Sequence, residues 1–163
     1  MVTKVLFVCT GGICRAPSAA AVLRRLVNEA DLQDQIQIDC AATHDYHLGA
    51  SPDGRARFVA RKRGYDISGI KVRLVQASDF QDFDMILVMD WENLSKMKQL
   101  CPRPLQHKLR LLMRYANDYE EATVPDPFYG GLDAFFKMYD YLADSCQGVF
   151  EIISGRYRSS QVA

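Results

Sequence analysis

The sequence predicts a single three-layer α/β domain, a parallel sheet flanked by helices, with an anion-binding loop after the first strand. Two continuous apolar runs, Val5-Leu6-Phe7-Val8 and Met85-Ile86-Leu87-Val88-Met89, carry the signature of strands buried on both faces. Amphipathic helical segments alternate with such runs, and that alternation implies parallel strands with helices covering both sides. The chain has 163 residues, 48% of them hydrophobic, enough for one good-sized core. No internal repeat, low-complexity tract or linker divides it. Residues 1–158 are therefore read as one domain and 159–163 as a polar, frayed tail.

Taken in order, the first strand ends at Thr10-Gly11-Gly12, and a helix begins near Pro17, a residue well tolerated in a first turn. Ala19, Leu23, Leu26, Val27 and Ala30 share one face of that helix, and Arg24, Arg25, Asn28 and Glu29 the other. A second strand is expected over 36–41 and a helix over 53–63, stopped by Gly64. After the third strand, Asp90 stands where a helix N-cap belongs, ahead of a helix from Trp91 to Leu100. A last strand falls within 109–114. The closing helix after Gly131 presents Phe135, Met138, Tyr139, Leu142, Cys146, Val149 and Ile153 at helical spacing, a stripe read as core.

Charge and composition narrow the function. Twenty basic residues balance twenty acidic ones, which removes the bulk electrostatic case for a nucleic-acid or membrane partner. The cluster Arg61-Lys62-Arg63 reads as a solvated helix face. The apolar run before Cys9 is far too short for a secretory signal, and no stretch approaches bilayer length. Five cysteines without framework spacing suit a reducing compartment, so a cytoplasmic location is expected. No cluster has zinc-ligand spacing, and His44, Asp45 and His47 are too weak a set to constitute a metal site.

The chemistry centres on Cys9-Thr10-Gly11-Gly12-Ile13-Cys14-Arg15, a cysteine and an arginine with five residues between them. The segment lies between a buried strand and a helix N-terminus, where ligands bind in open α/β sheets. Two glycines let the loop curl so that successive N–H groups point inward, and the helix dipole adds positive potential. Such a field holds a phosphate or other oxyanion and favours thiolate at Cys9, lowering it from the free value of about 8.5 toward neutrality. Arg15 closes the loop and can fork onto two phosphate oxygens. A cysteine at a strand end is more often a small hydrophobe, and the spacing alone occurs by chance; the strand, glycine-rich turn and helix in this order favour a site.

A nucleophile of this kind needs a proton donor for the leaving group. Val124-Pro125-Asp126-Pro127-Phe128-Tyr129-Gly130 supplies one: prolines on both sides of Asp126 restrict the backbone and aim its carboxyl. Asp126 would protonate a departing oxygen and then take a proton from the hydrolytic water. Without Cys9 the same segment would read as an ordinary Asp-Pro turn.

With these two segments in hand, the chain resembles the low-molecular-weight protein tyrosine phosphatases over nearly its whole length. Cys40-Ala41-Ala42-Thr43, Pro52-Asp53, Asp66-Ile67-Ser68, and Met89-Asp90 with Asn93 also fall in family order. The resemblance implies a four-stranded parallel sheet, no metal, no cofactor, and a covalent phosphocysteine. It makes Cys9 the nucleophile, Arg15 the phosphate clamp and Asp126 the general acid, with Thr10, Gly11, Gly12, Ile13 and Cys14 around the phosphate. Tyr46, Phe128 and Tyr129 fall where family members carry aromatics at the cleft mouth, favouring phosphotyrosine-containing proteins as substrates; each could equally be packing.

Departures from the family pattern are confined to the brace of the loop. Family members usually have asparagine at Gly12, serine at Ala16, serine at Cys40 and histidine near Ile70. Losing that hydrogen-bonded set together strands no polar partner, so the loop is expected to stay closed with a less acidic Cys9. Cys14 is read either as packing beneath the loop or as a thiol able to bridge reversibly to Cys9. Arsenate reductases share the fold but relay a disulfide through further cysteines, which Cys101 and Cys146 do not suit. Protein-arginine phosphatases tend to have threonine where Ile13 stands. A phosphate-binding module without catalysis is the remaining alternative, and it would have no use for Cys9 or Asp126.

Overall fold

The computed structural model describes residues 1–161, with side chains through Arg158. Four strands, β1 (Thr3–Cys9), β2 (Ile36–Ala42), β3 (Met85–Val88) and β4 (Leu109–Leu111), form one sheet in the order β2-β1-β3-β4. Every pairing is parallel, with Phe7 opposite Cys40 and Leu87, and Cys9 opposite Ala42. β1 is central, and its Val5, Leu6, Phe7 and Val8 are fully buried. The three-layer arrangement follows from the strand period of two. Val5, Phe7 and Cys9 face a core shared with helices α1 (Arg15–Glu29), α2 (Gly54–Lys62) and α5 (Leu132–Gln161). Leu6 and Val8 face a second core closed by the short helix α3 (Asp79–Asp82) and by α4 (Trp91–Leu100).

The expected elements are present, with shifts that have local causes. Helix α1 begins at Arg15, two residues ahead of Pro17, because the first turn has no intrahelical partner for the N–H that proline lacks. Asp53 and Asp90 are the N-caps of α2 and α4, accepting the N–H of Arg55 and Asn93 at 2.8 Å each. Gly64, at φ +85°, follows the end of α2. β4 is only three residues long because Leu112–Tyr115 tightens into a 3-10 turn. That turn, the 3-10 segment Arg103–Lys108 and α3 have no counterpart in the sequence reading; each is too short for a periodic signal.

Phe135, Met138, Tyr139, Leu142, Cys146, Val149 and Ile153 of α5 are buried, as the stripe predicted. α5 lies so close to the chain at Tyr115 that a Cβ on Gly148 would sit 1.8 Å from the Tyr115 carbonyl oxygen. The helix also runs on through residues 159–161, into the segment read as a tail; residues 162–163 fall outside the described residues. Among the described residues no helix is long and apolar enough to cross a membrane.

The order β2-β1-β3-β4 places a topological switch between β1 and β3, whose following helices lie on opposite faces of the sheet. The chain diverges there, leaving a crevice at the carboxyl ends of the two strands. Cys9 ends β1 at that crevice, and Asp90 follows β3.

Candidate active site

The loop from Cys9 to Arg15 is held from outside by backbone hydrogen bonds, which frees its inner N–H groups. The Cys9 and Thr10 carbonyls accept from Thr43 and His44 at 2.9 and 3.1 Å, and the Ile13 carbonyl accepts from Asp53 at 2.9 Å. Cys14 is the N-cap of α1 without a side-chain cap bond; its carbonyl accepts from the Ser18 hydroxyl at 2.6 Å. Thr10 is fixed by Asn93, a buried residue whose Nδ2 donates to Thr10 Oγ1 at 2.9 Å.

Gly12 turns the loop at φ +77°, a conformation that suits glycine. A Cβ there would lie 2.9 Å from Val72 Cγ1 and 3.0 Å from Ala42 Cβ. The side chain that seats against Gly12 is thus Val72, a residue that the sequence reading did not single out. Val72 is held there by two backbone bonds, to Gly49 and Ala50. Ala16 is fully buried and Cys40 nearly so. No unpaired buried side-chain polar atom lies at the loop among the described residues, which agrees with joint loss of the polar brace.

Cys9 is buried at the bottom of a cavity of about 200 Å³. Arg15, 2% exposed, donates from Nη1 to Asp90 Oδ2 at 2.6 Å and to the Val124 carbonyl at 2.9 Å. Its Nη2 lies 3.7 Å from Asp126 Oδ2. Asp126 is half-exposed between its prolines, and its Oδ1 accepts the Phe128 N–H at 3.1 Å.

Burial pushes the Cys9 thiol above its ordinary value, against the Arg15 guanidinium and the N–H groups of Ala16 and Gly12, which pull it down. The expected lowering by the loop field is therefore outweighed by desolvation. Burial likewise raises Cys14, and Cys40 is pushed up to about 12 by the same cause. All five cysteines are buried and free.

The residues that the sequence reading assigned to catalysis and substrate binding line this one cavity: Cys9 through Arg15, Tyr46, Asp126, Phe128 and Tyr129. At the mouth, Phe128 meets Tyr129 edge-on with centroids 4.9 Å apart, and Tyr129 is 95% exposed. Tyr46, also exposed, stacks on His44 at 5.0 Å.

The sequence reading missed His47, which shares the cavity wall, lies against Gly11 and faces Phe128 at 6.0 Å. It had been weighed only as part of a weak metal set, and its neighbour Tyr46 was the available signal. Asp90 was read as a cap alone, yet one oxygen caps α4 while the other holds Arg15.

A family model described as low molecular weight phosphotyrosine protein phosphatase matches residues 4–158. A low molecular weight phosphotyrosine protein phosphatase of Schizosaccharomyces pombe is 38% identical over 152 residues, 93% of this chain and 97% of the relative. Among solved structures, a protein tyrosine phosphatase from Entamoeba histolytica superposes with a TM-score of 0.90 at 35% identity, covering 94% of this chain and 99% of that one. A Drosophila arginine phosphatase superposes with a TM-score of 0.85 at 31% identity, covering 93% and 98%.

Proposed function

The chain belongs to the low molecular weight phosphotyrosine protein phosphatase family, and from that premise we propose that it hydrolyses phosphotyrosine on proteins through a phosphocysteine on Cys9. One observation carries the reading: Cys9 and Arg15 of one loop and Asp126 from a distant part of the chain line a single cavity. The loop N–H groups and the α1 dipole bind the phosphate oxygens. Arg15 Nη1 is occupied by Asp90 and Val124, so the other edge of the guanidinium, with Nη2, is offered to two equatorial oxygens.

Cys9 attacks as thiolate, the form that the Arg15 guanidinium and the N–H groups of Ala16 and Gly12 favour against its burial. Its Sγ–P bond forms as the bond from phosphorus to the phenolic oxygen breaks in line, and Asp126 gives its proton to that oxygen. Asp126, now ionised, takes a proton from water. The water oxygen bonds to phosphorus, the Sγ–P bond breaks, and inorganic phosphate leaves. Phe128, Tyr129 and Tyr46 flank the substrate ring, a wall that a phosphoserine side chain is too short to use.

The likeness to an arginine phosphatase is set against Ile13, which lines the cavity where a threonine is expected for that substrate. The test is turnover of phosphotyrosine, phosphoserine and phosphoarginine peptides by wild type, Cys9→Ser and Asp126→Ala across pH. Tyrosine-selective hydrolysis that vanishes in Cys9→Ser and weakens in Asp126→Ala is expected. Binding without turnover by wild type would reduce the protein to a phosphate-binding module.

A further inference from the structure

We propose that Arg55 is the positioning residue for the general acid, coupling the Asp126 loop to the phosphate loop; the inference rests on Asp126 being that acid. Arg55 stands in the first turn of α2, and its guanidinium makes two sets of contacts. Toward its own helix, Nε and Nη2 donate to the two oxygens of Asp53 at 3.1 and 3.0 Å. Toward the Asp126 loop, Nη2 donates to the Phe128 carbonyl at 2.9 Å and Nη1 to the Gly130 carbonyl at 3.1 Å. The plane is fixed from two further sides, with Cζ 4.6 Å from the centroid of buried Phe135 and 5.5 Å from that of Phe128.

Both ends of this connection reach the chemistry. Asp53 donates its N–H to the carbonyl of Ile13 in the phosphate loop. Phe128, whose carbonyl Arg55 holds, donates its N–H to Asp126 Oδ1. The peptide units on either side of Phe128 are thereby tied to opposite partners, one to Arg55 and the other to the carboxyl that moves the proton. Releasing Arg55 leaves the Asp126 loop held by its prolines, by the Val124 contacts and by the ring contact of Phe128 with His47, which is not directional as the Arg55 hydrogen bonds are.

The interaction requires arginine geometry. A guanidinium can serve a carboxylate and two carbonyls at once from a rigid plane; an ammonium is a point charge on a flexible stem. The Arg55 hydrogen bonds also hold the Asp53 carboxyl below its ordinary range, against burial, which acts to raise it.

A misplaced general acid has a kinetic signature that a misfolded loop does not. Its contribution to phosphocysteine formation, read by kcat/KM, is largest for a poor leaving group such as tyrosine, with a pKa of about 10, and vanishes for acidic phenols that need no proton. The experiment measures kcat and kcat/KM for wild type, Arg55→Met, Arg55→Lys and Asp126→Asn on aryl phosphates graded from acidic nitrophenols to tyrosine. Inhibition by inorganic phosphate is measured alongside.

Arg55→Met is expected to lose about ten- to a hundredfold in kcat/KM on phosphotyrosine. It should keep kcat/KM within about twofold on the most acidic phenol and leave phosphate inhibition unchanged, as expected of a role in protonating the leaving group. Its leaving-group dependence should approach that of Asp126→Asn, with Arg55→Lys between. An equal loss of kcat/KM across all leaving groups, or none, would overturn the proposal. Should Arg55→Met fail to fold, Arg55→Lys decides: a wild-type slope overturns it, a steeper slope sustains it. If Asp126→Asn itself shows no steepening, the assignment of Asp126 falls, a result distinct from failure of Arg55 alone.

Discussion

Arg15 and Asp90 meet at 2.6 Å across the switch point of the sheet, joining the helices that follow β1 and β3. The partners are 75 positions apart, and the guanidinium is buried. A buried arginine needs its donors occupied, and two go to Asp90 and to the Val124 carbonyl. Val124 in turn donates its N–H to the Met89 carbonyl at 2.8 Å, so β3 supports the arginine from both partners. Asp126 stands two residues beyond Val124. The proposed phosphate clamp and proton donor therefore share one support.

Asp90→Ala removes the counter-charge of a buried guanidinium and the N-cap of α4 together. The expected loss is about 3–5 kcal/mol of folding stability, the cost of stranding a buried charge. Asp90→Asn keeps one acceptor oxygen, for either the cap or Arg15, and sets an NH2 against the donor at the other contact. It should lose about 1–3 kcal/mol. Urea unfolding of the two variants checks this; a loss under about 1 kcal/mol for Asp90→Ala would mean that solvent or phosphate replaces the pair.

Gly12 is the family departure with the clearest steric reason. Any side chain there meets Val72 and Ala42 at about van der Waals overlap and must also adopt positive φ. Gly12→Asn, which restores the usual family residue, is expected to destabilise by about 1–3 kcal/mol. Pairing it with Val72→Ala removes the nearest obstruction and should recover part of that loss. Unfolding midpoints of the single and double variants measure the coupling, and strict additivity would show that Val72 is not the obstacle.

Much of this site is legible in the sequence because it is local. The run 5–8, the two glycines and the cysteine–arginine spacing lie within a dozen residues, and Asp126 announces itself through two flanking prolines. Relations between remote positions are not written in any local pattern. Asp90 reads as a cap because its cap partner is three residues away, whereas its arginine is 75 away. That Val72 seats against Gly12 is not legible, because the segment between α2 and α3 is irregular, with no period to fix which side chain faces the loop. His47 was overlooked because an exposed loop gives no hint of which neighbour it folds against. The Cys9 thiol was expected low from dipole and charge alone; the depth of its burial is a tertiary fact.

Ala16→Ser tests how the missing hydroxyl affects the nucleophile. The Ala16 N–H already bears on Cys9, and a hydroxyl on the same residue would donate to the thiolate. A donor to the charged form lowers an acid's pKa, so the acidic limb of kcat/KM should move to lower pH, by about one pH unit for a charge-assisted bond. Alkylation of Cys9 by iodoacetamide against pH reads the same shift without turnover. Unchanged alkylation profiles would show that the loop N–H groups and Arg15 alone set the Cys9 thiolate.

Tyr139 offers a pH-dependent stability with a definite sign. Its ring is buried on α5, stacks on Tyr65 at 5.9 Å, and its hydroxyl donates to the Ala56 carbonyl at 3.2 Å, linking α5 to α2. Burial, its largest cause, raises the phenol from 10.0 to about 12, with Ser18 acting to lower it. An unfolded chain releases this proton near pH 10 and the folded one only near 12. The stability is thus complete below about pH 10 and is lost as pH rises toward 12. Across that window wild type should lose up to about 3 kcal/mol more than Tyr139→Phe, which has no proton to release. At neutral pH the phenylalanine variant should be about 1 kcal/mol less stable, for want of the bond to Ala56. The two stability curves are therefore expected to converge or cross in alkali. Curves that stay parallel from pH 8 to 12 would mean that Tyr139 ionises at its ordinary value and that water reaches the α2–α5 interface.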